Sequence, residues 1–533
     1  MFTLVIAVLI ELLCVVFSPA IAAGADRPRL TEGRAPPHAA SHAANDAPTF
    51  TEARRAVQAG STVGLTPYVE DADRRDTHRL ELLSAPQSGS ASVSPDGRRL
   101  VYAAPATQGV DNFAYRVTDR AGLAVEGVAR MVIYDDATLA TCRQNSTVTP
   151  AGVLDTRTKS NGCAFYGQTT TRVTADGTPV TVDYFVNWPA SGEAPKAVVV
   201  LIGGGDFNML IRGNLATGAG DTTGGANNFV VRTAQLFADA GYLTVALDRP
   251  VPAPPAPAGS TDALTAADFY RTSVDHAVDI LGVLKTLNTH NLPVFLAGTS
   301  RGALSVVAQN RIATGIATSS SATMDLGDNG RHLYVGRPDT PNLLPQFVHR
   351  PTHVMWNTND LCSGTTPAAS RALYDSLVAA GVDAAFNAVS GGVRVTAMGN
   401  GVSPDVCGAL NFHGYMGIEN TAVGHITTWL DGRVAALGHH KGPKAVFAEV
   451  ATAAGTPMPI HLDALLHDQD CEALSYELPG AATSLGGQAV LTGRTVTYTP
   501  PPGVSSGTDS FVYVVTDGRG GVGAAVVSVR IGS

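Results

Sequence analysis

Apolar residues follow two rhythms along this chain. From about residue 135 to residue 440, short unbroken apolar runs alternate with longer segments whose apolar positions recur every three or four residues. Residues 197–202 are such a run, and 242–247 read as the next strand. A strand covered on both faces has no need of a polar side. Val274, Ala277, Val278, Leu281 and Leu284 share one face of a helix drawn over 270–287. Further helices are expected over 229–240, 367–380 and about 419–436, and further strands over 315–318, 353–357 and 384–389. Residues 180–188 instead alternate with period two (Val180, Val182, Tyr184, Val186, Trp188), the mark of an early antiparallel strand. Strands alternating with helices over about 300 residues predict one doubly wound α/β domain with a mostly parallel sheet.

The ends of the chain read as all-β instead. From 49 to 134 short strands such as Leu100-Val101-Tyr102 are split by turns such as Pro95-Asp96-Gly97. In the stretch 111–119, Phe113, Tyr115 and Val117 share a face that fits a sandwich core. That stretch returns at 509–517. Ala59-Gly60 returns as Ala454-Gly455, and Asp71-Ala72-Asp73 as Asp468-Gln469-Asp470. This is an internal repeat of roughly 85 residues. It predicts all-β sandwich modules at 49–134 and 441–533, flanking an α/β domain at 135–440.

The D-x-F-x-Y-x-V-x-D strand followed by a Gly-containing turn resembles the bacterial cadherin-like or Ig-like tandem modules. The resemblance implies spacer or adhesive units that contact a surface or a polymer. Some such modules bind Ca²⁺ through clustered aspartates. Asp71, Asp73 and Asp76 in one copy, and Asp468 and Asp470 in the other, are the candidates here. Neither copy has a full ligand loop, so polar loops without an ion are the favoured reading, and no metal is expected.

The net charge of −9 is spread without a basic block, which argues against a nucleic-acid partner and against attraction to anionic membranes. Residues 1–23 are almost wholly apolar and end near Ala20-Ile21-Ala22, the pattern of a secretory signal peptide. An Ala-, Pro-, His- and Arg-rich linker follows at 24–48. No later segment has 18 consecutive apolar residues, so stable membrane insertion is not expected. The expectation is a secreted protein, periplasmic or extracellular. Loss of the signal removes Cys14 and leaves five cysteines. In an oxidising compartment these give two pairs and one leftover. Cys142 with Cys163 is the local pair, Cys362 with Cys407 the second, and Cys471 the remainder.

The chemistry centres on Gly298-Thr299-Ser300-Arg301-Gly302. This G-x-S-x-G pentapeptide follows an apolar strand and precedes a run of small and apolar residues suited to a helix, the context of a nucleophile elbow. Glycines at 298 and 302 supply the room that such a tight turn requires. The order Ser, acid, His then points downstream. Asp360 follows the strand 353–357 at the sheet edge where ligands bind; Asp405 and Asp383 are its rivals. His413 lies in a loop before the last helix, and His425, inside that helix, competes with it. A Cys362–Cys407 bridge would tie the acid loop to the base loop. The Gly203-Gly204-Gly205 run follows the central strand, where the second oxyanion N–H is expected beside that of Arg301. The Arg301 side chain either favours an anionic acyl group or points into structural contacts.

These segments, with Asn228-Phe229-Val230-Val231-Arg232, Asn359-Asp360-Leu361-Cys362 and the run from Asp405 through His413 to Glu419, look like a group of secreted bacterial α/β-hydrolases. The resemblance implies Ser300, Asp360 and His413 as a triad, Cys362–Cys407 as a bridge, and the α/β-hydrolase fold. It leaves the substrate open. The expected activity is hydrolysis of a small-molecule or polymeric carboxylic ester without a cofactor, with Arg301, Gly204 and Gly205 at the oxyanion site. An amidase or peptidase on the same triad is the alternative. A second is a surface adhesion protein with an inactive hydrolase domain.

Overall fold

The computed structural model describes residues 45 and 47–532, apart from 72–75, 144–146, 149–152, 156–162, 192, 223–226, 256–262, 289, 322–347, 396, 399–404, 439 and 469–471. The expected signal peptide and most of the expected linker lie outside the described residues, as do Asp73, Asp470 and Cys471.

Eight strands form the central sheet: β1 (Phe165–Val173), β2 (Pro179–Asn187), β3 (Val198–Ile202), β4 (Leu243–Leu247), β5 (Val294–Thr299), β6 (Gly315–Ser319), β7 (Thr352–Asn357) and β8 (Ala384–Val389). Their spatial order is β1-β2-β4-β3-β5-β6-β7-β8. β2 runs antiparallel to β1 and β4, while every neighbouring pair from β4 to β8 is parallel. This is an α/β-hydrolase fold.

The continuous apolar runs are explained by two covering layers. Val198, Val200 and Ile202 of β3 join the helices Val274–Leu287, Gly302–Ala308 and Pro367–Ala379. Val199 and Leu201 join Phe229–Arg232, Ala234–Asp239 and Glu419–Leu437 on the other face. From β3 the chain crosses to β4 on one side, then to β5 on the other. Loops leaving the C-terminal ends of β3 and β5 therefore diverge and open a crevice. The glycine run follows β3, and Ser300 follows β5.

Two expected helices are broken. The helix expected over 270–287 is two, Ala263–Arg271 and Val274–Leu287, because Ser273 takes an extended conformation and caps the second by accepting the His276 N–H at 3.4 Å. The helix expected over 229–240 breaks at Thr233, whose hydroxyl bonds back to Phe229 O at 2.7 Å.

Each end packs a larger sheet on a three-stranded one, the second adding the short pair Lys444–Ala445 and Leu466–His467, and in both an early strand, Phe50–Gln58 or Ala448–Thr452, pairs in parallel with the last. Phe113, Tyr115 and Val117 fill one core, and Phe511, Tyr513 and Val515 the other. The first module meets the α/β domain through Ala56, Val132 and Tyr134, which share a cluster with Leu139, Phe165 and the Cys142–Cys163 disulfide. The second meets it through Val512, Val514 and Val526, which join the cluster around the helix Val274–Leu287. Among the described residues, no helix is long and apolar enough to cross a membrane.

Candidate active site

Ser300 stands at φ +57°, in the left-handed region that a non-glycine residue enters only under constraint. The constraint is the elbow. A Cβ at Gly298 would lie 2.4 Å from Gly302 O, and one at Gly302 would lie 2.2 Å from Ile202 O. Only hydrogen fits at either position. The Ser300 N–H is anchored to Ser319 O at the end of β6 (3.0 Å).

Asp360 leaves the end of β7 and is buried, as is His413. Asp360 Oδ2 lies 3.0 Å from His413 Nδ1. Oδ1 accepts the Cys362 N–H at 2.9 Å. Thr365 Oγ1 donates to Oδ2 at 3.2 Å and lies 2.8 Å from His413 Nδ1, so one hydroxyl touches both partners of the pair. The Cys362–Cys407 disulfide joins the two loops with a Cα–Cα separation of 4.5 Å. Among the described residues all four cysteines are in disulfides.

The rivals lie elsewhere. Asp405 is exposed and accepts the Cys407 N–H at 3.0 Å. Asp383 is paired with Arg433. His425 lies within the helix Glu419–Leu437. None of the three lines the cavity beside Ser300.

That cavity, about 360 Å³, is walled by Ser300 and His413 together with Gly204, Gly205 and Asn228. A Cβ on Gly204 would come within 2.9 Å of Ser300 Cβ, so the glycine run packs directly on the nucleophile turn. The N–H groups of Gly204, Gly205 and Arg301 donate to no acceptor among the described residues. The Arg301 side chain is engaged in an ion pair with buried Asp268. Of the two options for that side chain, the structure therefore gives the structural contact rather than a cation facing an acyl group.

Two buried arginines were not singled out from the sequence. Arg232 binds Asn227 O (2.6 Å), Ala409 O (3.0 Å), Gly414 O and the Glu419 carboxylate (3.0 Å), and so holds the loop that carries His413. Burial pulls its pKa down, opposed by Glu419. Arg271 is enclosed beneath the glycine run. The available signal was Arg232 set directly after the apolar run Phe229-Val230-Val231.

The acidic candidates are arranged differently from expectation. Asp71 and Asp76 lie with Asp119, their ligand atoms within 4.8 Å of one another, and His78 is 2.8 Å from Asp71. In the second module the corresponding cluster is His440, Glu472 and Asp517, while Asp468 accepts the Glu472 N–H at 3.1 Å and stands outside it.

Residues 45–132 and 441–530 match the bacterial Ig domain, so the modules at both ends are Ig-like. No curated relative matches the chain. Among solved structures, TT1662 from Thermus thermophilus is similar at 15% identity, covering 52% of this chain and 99% of its own, with a TM-score of 0.30. An α/β serine hydrolase homologue from Coxiella burnetii is similar at 14% identity, covering 52% and 99%, with a TM-score of 0.29. The carboxylesterase Cest-2923 from Lactobacillus plantarum is similar at 13% identity, covering 51% and 97%, with a TM-score of 0.34. The fold assignment rests on the strand order and the elbow of this chain, not on those scores.

Proposed function

We propose that the protein is a secreted serine hydrolase that cleaves carboxylic esters through an acyl-enzyme. Ser300 attacks the carbonyl carbon. His413 Nε2 takes the Ser300 proton and delivers it to the leaving oxygen, while Asp360 at Nδ1 holds the imidazole and stabilises its charged form. The N–H groups of Arg301 and of Gly204 or Gly205 receive the oxyanion. Water, activated by His413, then releases the acid. The observation that carries this reading is Ser300 at positive φ on the wall of a cavity that also exposes His413, itself 3.0 Å from buried Asp360. Two disulfides and two Ig-like modules support an oxidising compartment, periplasmic or extracellular. The Ig-like modules would hold the enzyme near surface or polymeric material.

The test is hydrolysis of p-nitrophenyl esters from acetate to palmitate by the mature protein and by Ser300→Ala. Turnover is expected to fall by at least roughly 10⁴-fold in the variant, and the chain-length optimum measures the pocket. Undiminished turnover in Ser300→Ala overturns the assignment of the nucleophile. Absence of turnover on every ester, with fluorophosphonate labelling of Ser300 intact, moves the reading to amides. Absence of both leaves a binding protein.

A further inference from the structure

The guanidinium of Arg271 is completely buried, 0% exposed, at the end of the helix Ala263–Arg271. Its Nη2 donates to three successive carbonyls, Gly203 O at 2.9 Å, Gly204 O at 3.2 Å and Gly205 O at 3.3 Å. Its Nη1 donates to Ser305 Oγ at 2.9 Å, on the helix that follows the nucleophile. The Phe207 ring stacks on it at 4.6 Å, and the main-chain oxygen of Arg271 is itself held by Gln309 Nε2 at 3.0 Å. Burial lowers the Arg271 pKa to about 10, so the group stays charged at neutral pH.

The consequence follows from peptide geometry. In a planar trans peptide the C=O of one residue and the N–H of the next point in opposite directions. Turning the carbonyls of Gly203, Gly204 and Gly205 toward one buried cation therefore turns the N–H groups of Gly204, Gly205 and Asp206 the other way. Those three residues line the cavity. Glycine has no side chain to resist a peptide flip, and a flipped peptide would present an oxygen where a donor is required. The same cation reaches Ser305, so it also fixes the glycine run relative to the helix behind Ser300.

We propose that Arg271 is the positioning residue of the oxyanion site: by holding the carbonyls of Gly203–205 beneath the loop, it sets the N–H groups of Gly204, Gly205 and Asp206 toward the oxygen that becomes negative when Ser300 attacks. The role rests on the hydrolase reading above. Arg271 touches no substrate. Its contribution is preorganisation of donors whose effect is felt only when charge develops.

The experiment compares the parent with Arg271→Met and Arg271→Lys on the best p-nitrophenyl ester. It also measures inhibition by a trifluoromethyl ketone, whose hemiketal oxygen occupies the oxyanion position, and by the product acid. Arg271→Met is expected to lower kcat by roughly 10²- to 10³-fold with KM changed less than about threefold. Arg271→Lys, which keeps the charge but has fewer oriented donors, is expected to fall between the two. Ketone affinity should fall in proportion to kcat/KM across the three proteins, while affinity for the product acid holds. A general structural lesion would not give that proportionality. If Arg271→Met does not fold, Arg271→Lys carries the same comparison. A folded variant with parental kcat, or one whose kcat falls while ketone affinity stays parental, overturns the proposal. A parent without ester turnover overturns the underlying reading, and the proposal with it.

Discussion

The two Ig-like modules are copies of one design with different outer faces. Inside they use the same device. Asp111 is buried and accepts the N–H groups of Gln87 (2.7 Å) and Gly89 (2.7 Å) and the Tyr102 hydroxyl (2.9 Å). Asp509 is buried and accepts the Leu485 N–H (2.7 Å) and the Tyr498 hydroxyl (2.8 Å). Each carboxylate ties the long strand that carries it, Gly109–Thr118 or Gly507–Thr516, to the facing three-stranded sheet, through a tyrosine and the loop before the strand Ser90–Val93 or Gln488–Thr492. The faces away from the core diverge. In the first copy Ala114 and Arg116 lie opposite Val128 and Glu126, and Arg116 reaches Glu126 (2.8 Å) and Glu81 (2.9 Å) at the half-exposed surface. In the second, Val512 and Val514 lie opposite Val526 and Ala524, with Val512 and Val514 at 1% and 0% exposure. The inner face specifies the module. The outer face specifies how that strand pair docks: in the first copy only its Val132–Tyr134 end joins the α/β domain while Arg116 and Glu126 meet water, and in the second its middle is covered. Arg311 and Arg350 add ion pairs to Glu477 of the second module (2.7 and 3.2 Å), and Asn291 donates to Gly442 O (2.9 Å).

The shared staple gives the largest expected effect. Asp111→Ala and Asp509→Ala each leave buried donors without an acceptor, which destabilises by about 3–4 kcal/mol. Because several domains need not unfold together, the measurement is hydrogen exchange of the strand amides within each module. Equal losses of protection support one device in two copies. A much smaller loss for Asp509→Ala would mean that docking, not the carboxylate, stabilises the second module.

Next comes Val514→Arg, which places the residue of the first copy into the second. A charge facing the helix Val274–Leu287 has no acceptor built for it. The module is expected to undock at a cost of about 3 kcal/mol, bounded by the free energy of docking itself. Faster exchange along that helix, with the module's own core still protected, is the expected signature. Unchanged exchange would break the assignment of docking to this face.

Much of this was written in the chain, to different degrees. The sheet was legible because a strand covered on both faces must read as an unbroken apolar run, as Val198–Ile202 does. The elbow was legible because no side chain fits at 298 or 302. Asp360 and His413 were placed by the ends of predicted elements, and their closeness depends on loops whose path no local pattern encodes. Arg232 and Arg271 were missed for the same reason, since each binds main-chain oxygens far away in sequence, and Thr365 was missed because its hydroxyl meets the Asp360–His413 pair only once those loops are folded. The docked face was legible in principle. Ser510-Phe511-Val512-Tyr513-Val514-Val515 departs from the alternation kept by Asn112-Phe113-Ala114-Tyr115-Arg116-Val117, and loss of polar alternation in one copy of a repeat marks a second buried side.

The smallest effect is the most discriminating. Arg116→Val gives the first module the residue that the second uses for docking. If an apolar residue there were sufficient, the first module would acquire new contacts or self-associate. The structure argues otherwise. Glu126 lies directly opposite Arg116, Glu81 faces it from the neighbouring strand, and Asn112 and Arg130 continue the polar surface. One valine among them makes no contiguous apolar patch of the size that drives association. The two ion pairs that are lost are solvent-screened and contribute little. The expected outcome is a melting temperature within about 2 °C of the parent and an unchanged elution volume by size-exclusion chromatography. A shift to dimer would show that position 116 alone decides docking. The parental result leaves that decision with the whole face, Val512, Val514, Ala524 and Val526 acting together.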